Sequence, residues 1–177
     1  MSLGLETLAV LIADDNPNMR TIVMVLLQSF GVTQIIEASD GGQALTLLDA
    51  FTPDLAIVDF KMAPMNGVEF TRRVRHGPDS RNPYLPIIMM TGHSGRVRVE
   101  QARDAGVTEF IVKPLTARTL LNRIHAVIDK PRPFIRTPTY FGPDRRRRDD
   151  AAYAGPLRRA GDRAVRGRTQ GDASLMI

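Results

Sequence analysis

Leu8-Ala9-Val10-Leu11-Ile12-Ala13-Asp14-Asp15 is the stretch from which the fold can be read. Its apolar residues run without alternation straight into two adjacent carboxylates. An uninterrupted apolar run of this length suits a strand buried on both faces, as in a parallel sheet covered by helices. The two aspartates then stand at the strand's carboxyl end, the edge at which open α/β sheets bind ligands. Side-by-side carboxylates repel one another unless a cation lies between them. Oxygen donors on a short turn suit a hard ion, Mg²⁺ foremost. An acidic surface turn that caps the following helix accounts for the same pair of residues.

Downstream, Asn16 and Pro17 are favourable residues to open a helix, and Met19, Ile22, Val23, Leu26, Leu27 and Phe30 recur at helical spacing until Gly31 ends the pattern. A short strand near 33–37 and a helix near 42–51 follow. A second buried strand over 54–58 ends on Asp59, and a loop broken by Pro64 and Gly67 leads into a helix over 68–76. The next strand, 85–90, ends on Thr91, and a weakly patterned helix spans 95–105. The last strand, 108–112, ends on Lys113-Pro114, before a helix over 116–129. Five strands alternating with five helices predict a doubly wound, five-stranded parallel α/β sheet. The expected strand order is 2-1-3-4-5, the flavodoxin-like one, because neither G-x-G-x-x-G nor a P-loop follows the first strand.

The chain has 177 residues, room for one ordinary domain and an appendage. It contains no cysteine, which excludes disulfides, thiolate zinc sites and thiol nucleophiles. The N-terminal apolar run is short, stops at Asp14 and has no basic segment before it, so neither a signal peptide nor a transmembrane segment is expected, and the protein reads as cytoplasmic. The net charge of +5 is unevenly divided. Residues 131–177 hold 11 Arg against 5 Asp, a net of +6, leaving 13 basic and 14 acidic residues in 1–130. The folded body is expected over 1–130. The extension, 131–177, is rich in Gly and Pro with little apolar periodicity, and is expected to stay disordered until a ligand binds.

Parallel strands place Asp14, Asp15, Asp59, Thr91 and Lys113 on one edge of the sheet, around the crevice between the first and third strands. One carboxylate there is readily a helix cap, but three carboxylates, a hydroxyl and an amine at successive strand ends point to a site. Their charge is balanced once a divalent cation joins them, and a lysine and a metal together steady an incoming phosphoryl group. Asp59 as nucleophile would form an acyl phosphate.

This set, Asp14-Asp15, Asp59, Thr91 and Lys113-Pro114, resembles the CheY-like receiver domain of two-component response regulators over about residues 6–130. The resemblance implies that Asp59 accepts a phosphoryl group from a sensor histidine kinase, so that the protein is a phosphoacceptor in signal transduction rather than a conventional enzyme. It implies Mg²⁺ held by Asp14, Asp15, Asp59 and the main-chain carbonyl of Lys61. It further implies a cis Lys113–Pro114 bond and a switch pair of Thr91 and Phe110, with Phe in place of the commoner Tyr. Pro64 falls one place later than the family's usual Met-Pro. Lys61 and His93 sit near the phosphoryl position and are candidates for setting the lifetime of the acyl phosphate. His76 and His125 read as surface residues, and Met62, Met65, Met89 and Met90 as packing.

The extension nearly repeats itself. Tyr140-Phe141-Gly142-Pro143-Asp144-Arg145-Arg146 is echoed 13 residues later by Tyr153-Ala154-Gly155-Pro156-Leu157-Arg158-Arg159. A solvated or loosely polyanion-binding segment is one reading. Guanine recognition is another: Arg bonds O6 and N7, a carboxylate accepts from N1 and N2, and a ring or guanidinium stacks. Two copies suit cyclic di-GMP. The candidate ligand residues are Arg136, Tyr140, Gly142, Pro143, Asp144, Arg145, Arg146, Arg147, Arg148, Tyr153, Arg158, Arg159, Asp162 and Arg163. In this the chain is similar to the Cle group of CheY-like proteins, whose arginine-rich extensions bind cyclic di-GMP. That resemblance implies docking on the flagellar motor switch or another partner, with nucleic acid a less favoured ligand. A phosphorelay or kinase-regulating receiver whose basic tail meets a protein, membrane or nucleic acid is the alternative.

Overall fold

In the computed structural model, residues 4–92 and 95–145 are described. A single 3₁₀ turn, Leu5–Thr7, leads into β1 (Ala9–Ala13), α1 (Pro17–Ser29), β2 (Gln34–Ala38), α2 (Gly41–Ala50), β3 (Leu55–Asp59) and α3 (Gly67–His76). β4 (Ile87–Thr91), α4 (Arg96–Ala105), β5 (Glu109–Val112) and α5 (Ala117–Ile128) complete the alternation. The five strands form one parallel sheet in the order β2-β1-β3-β4-β5, as the hydrophobic runs predict. The expected elements are all present, with ends displaced by a residue or two.

The core is split by the sheet into two layers, because successive side chains of a strand point to opposite faces. Leu11, Ala56, Val58, Ile87 and Met89 face Phe70 and Val74 of α3, Ala44 of α2 and Ala102 of α4. Val10, Ile12, Leu55, Ile57, Ile88 and Met90 face Val23 and Leu27 of α1 and Leu120 and Ile124 of α5. Helix starts are set locally. Asn16 accepts from the Asn18 N–H with Pro17 in the first turn, Asp40 accepts from the Gly42 and Gln43 N–H groups, Asn66 accepts from that of Glu69, and Thr116 forms a capping box with Thr119. α4 closes on Gly106, whose φ of +97° is a left-handed conformation in which a β-carbon is strained.

The structure corrects one boundary. The folded body does not end at residue 130: Met1–Arg145 form one compact unit. β6 (Phe134–Thr137) and β7 (Tyr140–Pro143) pair antiparallel, from Phe134 opposite Pro143 to Thr137 opposite Tyr140, across the two residues Pro138 and Thr139. The expectation of a disordered segment fails here because composition was averaged over the whole extension. That average hides four apolar residues, Phe134, Ile135, Tyr140 and Phe141, close enough to bury together. Phe141 is 3% exposed, edge-on to Tyr84 with ring centroids 5.2 Å apart and tilted against Phe134 at 5.6 Å. Residues 146–177 lie outside the described residues.

Removing the Phe141 ring is expected to cost about 3–5 kcal/mol, the usual range for emptying a buried aromatic position. Urea unfolding of Phe141→Ala measures this directly. A chain ended at residue 130 should also unfold at lower urea than one ended at 145. Equal midpoints for these two chains would return the boundary to residue 130.

Candidate functional site

Four strand ends supply the site. Asp14 follows β1, Asp59 closes β3, Thr91 closes β4 and Lys113 follows β5. The ladder makes them neighbours: Ala13 pairs with Val58 and Thr91 with Val112, and the Lys113 N–H donates to the Thr91 carbonyl at 2.8 Å. Parallel pairing therefore does here what the spacing of residues along the chain cannot do.

Asp14, Asp15 and Asp59 each offer a carboxylate oxygen, and the three lie within 4.8 Å of one another. Asp14 and Asp59 are buried, at 1% and 6% exposure, whereas Asp15 is exposed. The Lys113 ammonium lies 2.8 Å from Asp59 Oδ1 and 3.3 Å from Asp14 Oδ2. The other carboxylate oxygens are held by the main chain. Asn16 N–H donates to Asp14 Oδ1 at 2.9 Å, and Lys61 N–H to Asp59 Oδ2 at 3.0 Å. Burial raises the Asp14 carboxyl above its ordinary range; the Asn16 N–H pulls it down, and the like charge of Asp59 pushes it up again. Burial works against the Lys113 ammonium too, but the attraction of Asp59 and Asp14 outweighs it and raises its pKa.

One lysine against three carboxylates leaves net negative charge in a half-enclosed pocket of hard oxygen donors. That donor set fits Mg²⁺. The same pocket suits an incoming group that is itself anionic only when a cation and Lys113 share its charge.

The loop between β3 and α3 returns close beneath Asp59. Gly67 N–H donates to the Phe60 carbonyl at 3.2 Å, and a β-carbon on Gly67 would overlap the Asp59 carbonyl oxygen. Glycine is therefore required there by close approach. Lys113–Pro114 is cis, as the resemblance implies, and Ala63–Pro64 is cis as well, which the sequence reading left open.

The remaining sequence-derived residues fall in several places. The Lys61 side chain is exposed, and Phe110 is half-buried against the core on β5. Thr91 is 2% exposed at its strand end. The methionines pack, with Met62 and Met89 buried in one core layer, Met65 against that layer, and Met90 buried in the other. His76 is exposed and His125 half-buried with its Nδ1 3.0 Å from Asp129. His93 lies outside the described residues.

Of the extension, Arg136 is exposed and stands over the Phe141 ring at 4.3 Å. Tyr140, Gly142 and Pro143 are buried in the hairpin. The Tyr140 hydroxyl donates to the Pro143 carbonyl at 2.8 Å, and the Arg145 guanidinium covers its ring at 3.8 Å. The Tyr140 ring face assigned to a nucleobase is thus occupied by Arg145 while the hairpin is folded. The Asp144 N–H donates to the Pro133 carbonyl at 2.8 Å. Arg146, Arg147, Arg148, Tyr153, Arg158, Arg159, Asp162 and Arg163 lie outside the described residues.

Sequence reasoning missed Arg20. From the end of the first turn of α1 its guanidinium donates to the Asp14 carbonyl at 2.8 Å and to Glu37 of β2 at 3.2 Å, fixing the backbone from which Asp14 projects. No periodicity marks it, since its partners belong to two different strand segments.

Residues 10–125 match the response regulator receiver domain. The chain is 36% identical over 121 residues to the chemotaxis protein CheY of Pseudomonas aeruginosa, covering 68% of this chain and 96% of that protein. It is 37% identical over 119 residues to the chemotaxis protein CheY1 of Helicobacter pylori, covering 67% and 94%. Among solved structures, chemotaxis protein CheY4 of Vibrio cholerae superposes with a TM-score of 0.63 at 31% identity, over 69% of this chain and all of that one. β6 and β7 lie beyond the residues matched to the family.

Gly67→Ala should cost roughly 2 kcal/mol or more, because the obstacle is backbone that cannot swing aside. Gly92→Ala, which meets no atom within 4 Å, should stay within about 0.5 kcal/mol of the parent. Chemical denaturation of both variants distinguishes close approach from a general intolerance of the site.

Proposed function

The chain belongs to the response regulator receiver domain family, and from that premise we propose that it is a response regulator phosphorylated on Asp59 by a sensor histidine kinase. Receiver domains are phosphoacceptor signalling proteins rather than conventional enzymes. The observation that carries the reading here is the Lys113 ammonium 2.8 Å from a buried Asp59 that shares its pocket with two further carboxylates.

In the proposed step a carboxylate oxygen of Asp59 attacks phosphorus. The P–N bond of the donor phosphohistidine breaks, and the imidazole nitrogen leaves with the electron pair. Asp14, Asp15, Asp59 and the Lys61 carbonyl would hold Mg²⁺, which when bound neutralises charge on the phosphoryl oxygens. Lys113 orients Asp59 before transfer and pairs with an added oxygen afterwards. The Thr91 hydroxyl donates to another, and Phe110 turns with it. Water later attacks phosphorus and releases phosphate. Lys61 and His93 set how long the acyl phosphate lasts. The protein works in the cytoplasm and signals by changing which protein it docks on, the flagellar motor switch being the candidate that its chemotaxis relatives suggest.

Incubation with acetyl phosphate and Mg²⁺ should add the mass of one phosphoryl group to the parent and none to Asp59→Asn. Uptake by Asp59→Asn, or none by the parent, would sink the assignment. Lys61→Ala and His93→Ala should each change the half-life of the acyl phosphate; half-lives equal to the parent's in both would remove these two residues from the mechanism.

The arginine-rich extension is read as the binding segment for cyclic di-GMP. Its support is the paired aromatic–Gly–Pro–Arg pattern and 11 arginines in 47 residues. With Tyr140 committed to the hairpin, the weight of recognition falls on Arg136, Asp144 and the residues beyond Arg145. Isothermal titration should give heat with the intact protein and none after Arg146, Arg147, Arg148, Arg158 and Arg159 are replaced by Ala. Absence of heat from the intact protein would end the proposal. Salt-steep binding to DNA or RNA without preference for guanine dinucleotides would replace it with a nucleic-acid ligand.

A further inference from the structure

The hairpin is seated on one corner of the fold, where α4 turns into β5. Arg132, just before β6, reaches Glu109 at the start of β5 at 3.0 Å, and Arg145, just after β7, reaches Asp104 at the end of α4 at 3.2 Å. Between these ion pairs the backbones are nearly in contact. A β-carbon on Gly142 would lie 2.8 Å from the Gly106 α-carbon, and one on Gly106 would lie 3.0 Å from the Phe141 carbonyl oxygen. Arg75 secures the corner from below. It is 3% exposed, its Nε donates to the Gly106 carbonyl at 3.0 Å and Nη1 to the Pro83 carbonyl at 2.8 Å, and the Phe134 ring lies 5.1 Å from its guanidinium. Burial lowers Arg75 to about 10, so it remains charged at neutral pH.

α4 joins this corner to the acidic pocket. Near its start, the Arg98 guanidinium stands over the ring of Phe60, the residue after Asp59, at 5.6 Å; near its end, Asp104 meets Arg145. One helix of ten residues thus touches the pocket loop at one end and the hairpin at the other. On β5, Phe110 directly follows the clamped Glu109.

We propose that the β6–β7 hairpin is a built-in clamp on the α4–β5 corner, and that occupancy of the Asp59 pocket loosens or tightens it through α4. The clamp itself rests on the contacts above; its response to Asp59 rests on the phosphoacceptor reading. Coupling is reciprocal, so whatever restrains the hairpin also biases the Asp59 pocket. A chain of contacts is not by itself coupling, and hydrogen exchange measures the coupling where it acts.

The experiment uses the full chain, with beryllium trifluoride and Mg²⁺ as the phosphoryl mimic and fluorine NMR to report its binding. Loading should change amide exchange over residues 134–143 by about threefold or more. Arg132→Gln should speed exchange by a similar factor over 104–112 and 134–143 while leaving 34–38 on the far edge of the sheet unchanged, and Arg132→Lys should recover the slow rates. The clamp is overturned if Arg132→Gln leaves 104–112 unchanged, or speeds 34–38 equally. The coupling is overturned if the mimic binds and 134–143 does not respond. If the mimic does not bind, the phosphoacceptor reading falls and takes the coupling with it, while the Arg132 arm still decides the clamp.

Discussion

Uncompensated negative charge at the end of a buried apolar sheet governs this molecule. Two of the three carboxylates are almost wholly withdrawn from water, a position that ionised groups tolerate only when paired or hydrogen-bonded. The fold answers with a lysine 99 residues from Asp14, with two main-chain N–H groups, and with Arg20 holding the carbonyl of Asp14. These restraints also preorganise the site. Asp59 is oriented by Lys113 and by the Lys61 N–H before any partner arrives, which is the preorganisation that electrostatic stabilisation requires.

The opposite constraint, burial of apolar surface, explains the rest of the architecture. The sheet is covered on both faces, and every strand end that carries chemistry opens onto the same edge because all five strands are parallel. The hairpin extends this logic beyond the family's matched residues. Phe134 and Phe141 would be exposed if the folded body stopped at residue 130, and Tyr84, though 56% exposed, provides the ring against which both pack. The cationic residues of the hairpin are placed to match: Arg132 and Arg145 meet Glu109 and Asp104, while Arg136 and Arg145 lie over aromatic faces. A basic segment usually taken as solvated is, over its first fifteen residues, part of the folded body.

The sequence by itself determined the sheet and the cast of the acidic site. Apolar runs that end on Asp14, Asp59, Thr91 and Lys113 are local signals: a strand buried on both faces must be continuous in hydrophobicity, and the residue after it must leave the sheet. Tertiary structure alone decided which of those groups touch, where Arg20 reaches, and that residues 134–143 fold at all. Arg132 and Glu109, or Gly106 and Gly142, are brought together by packing between segments far apart along the chain. No hydrophobic period or local propensity encodes such a contact, because its stability exists only once both surfaces have been built.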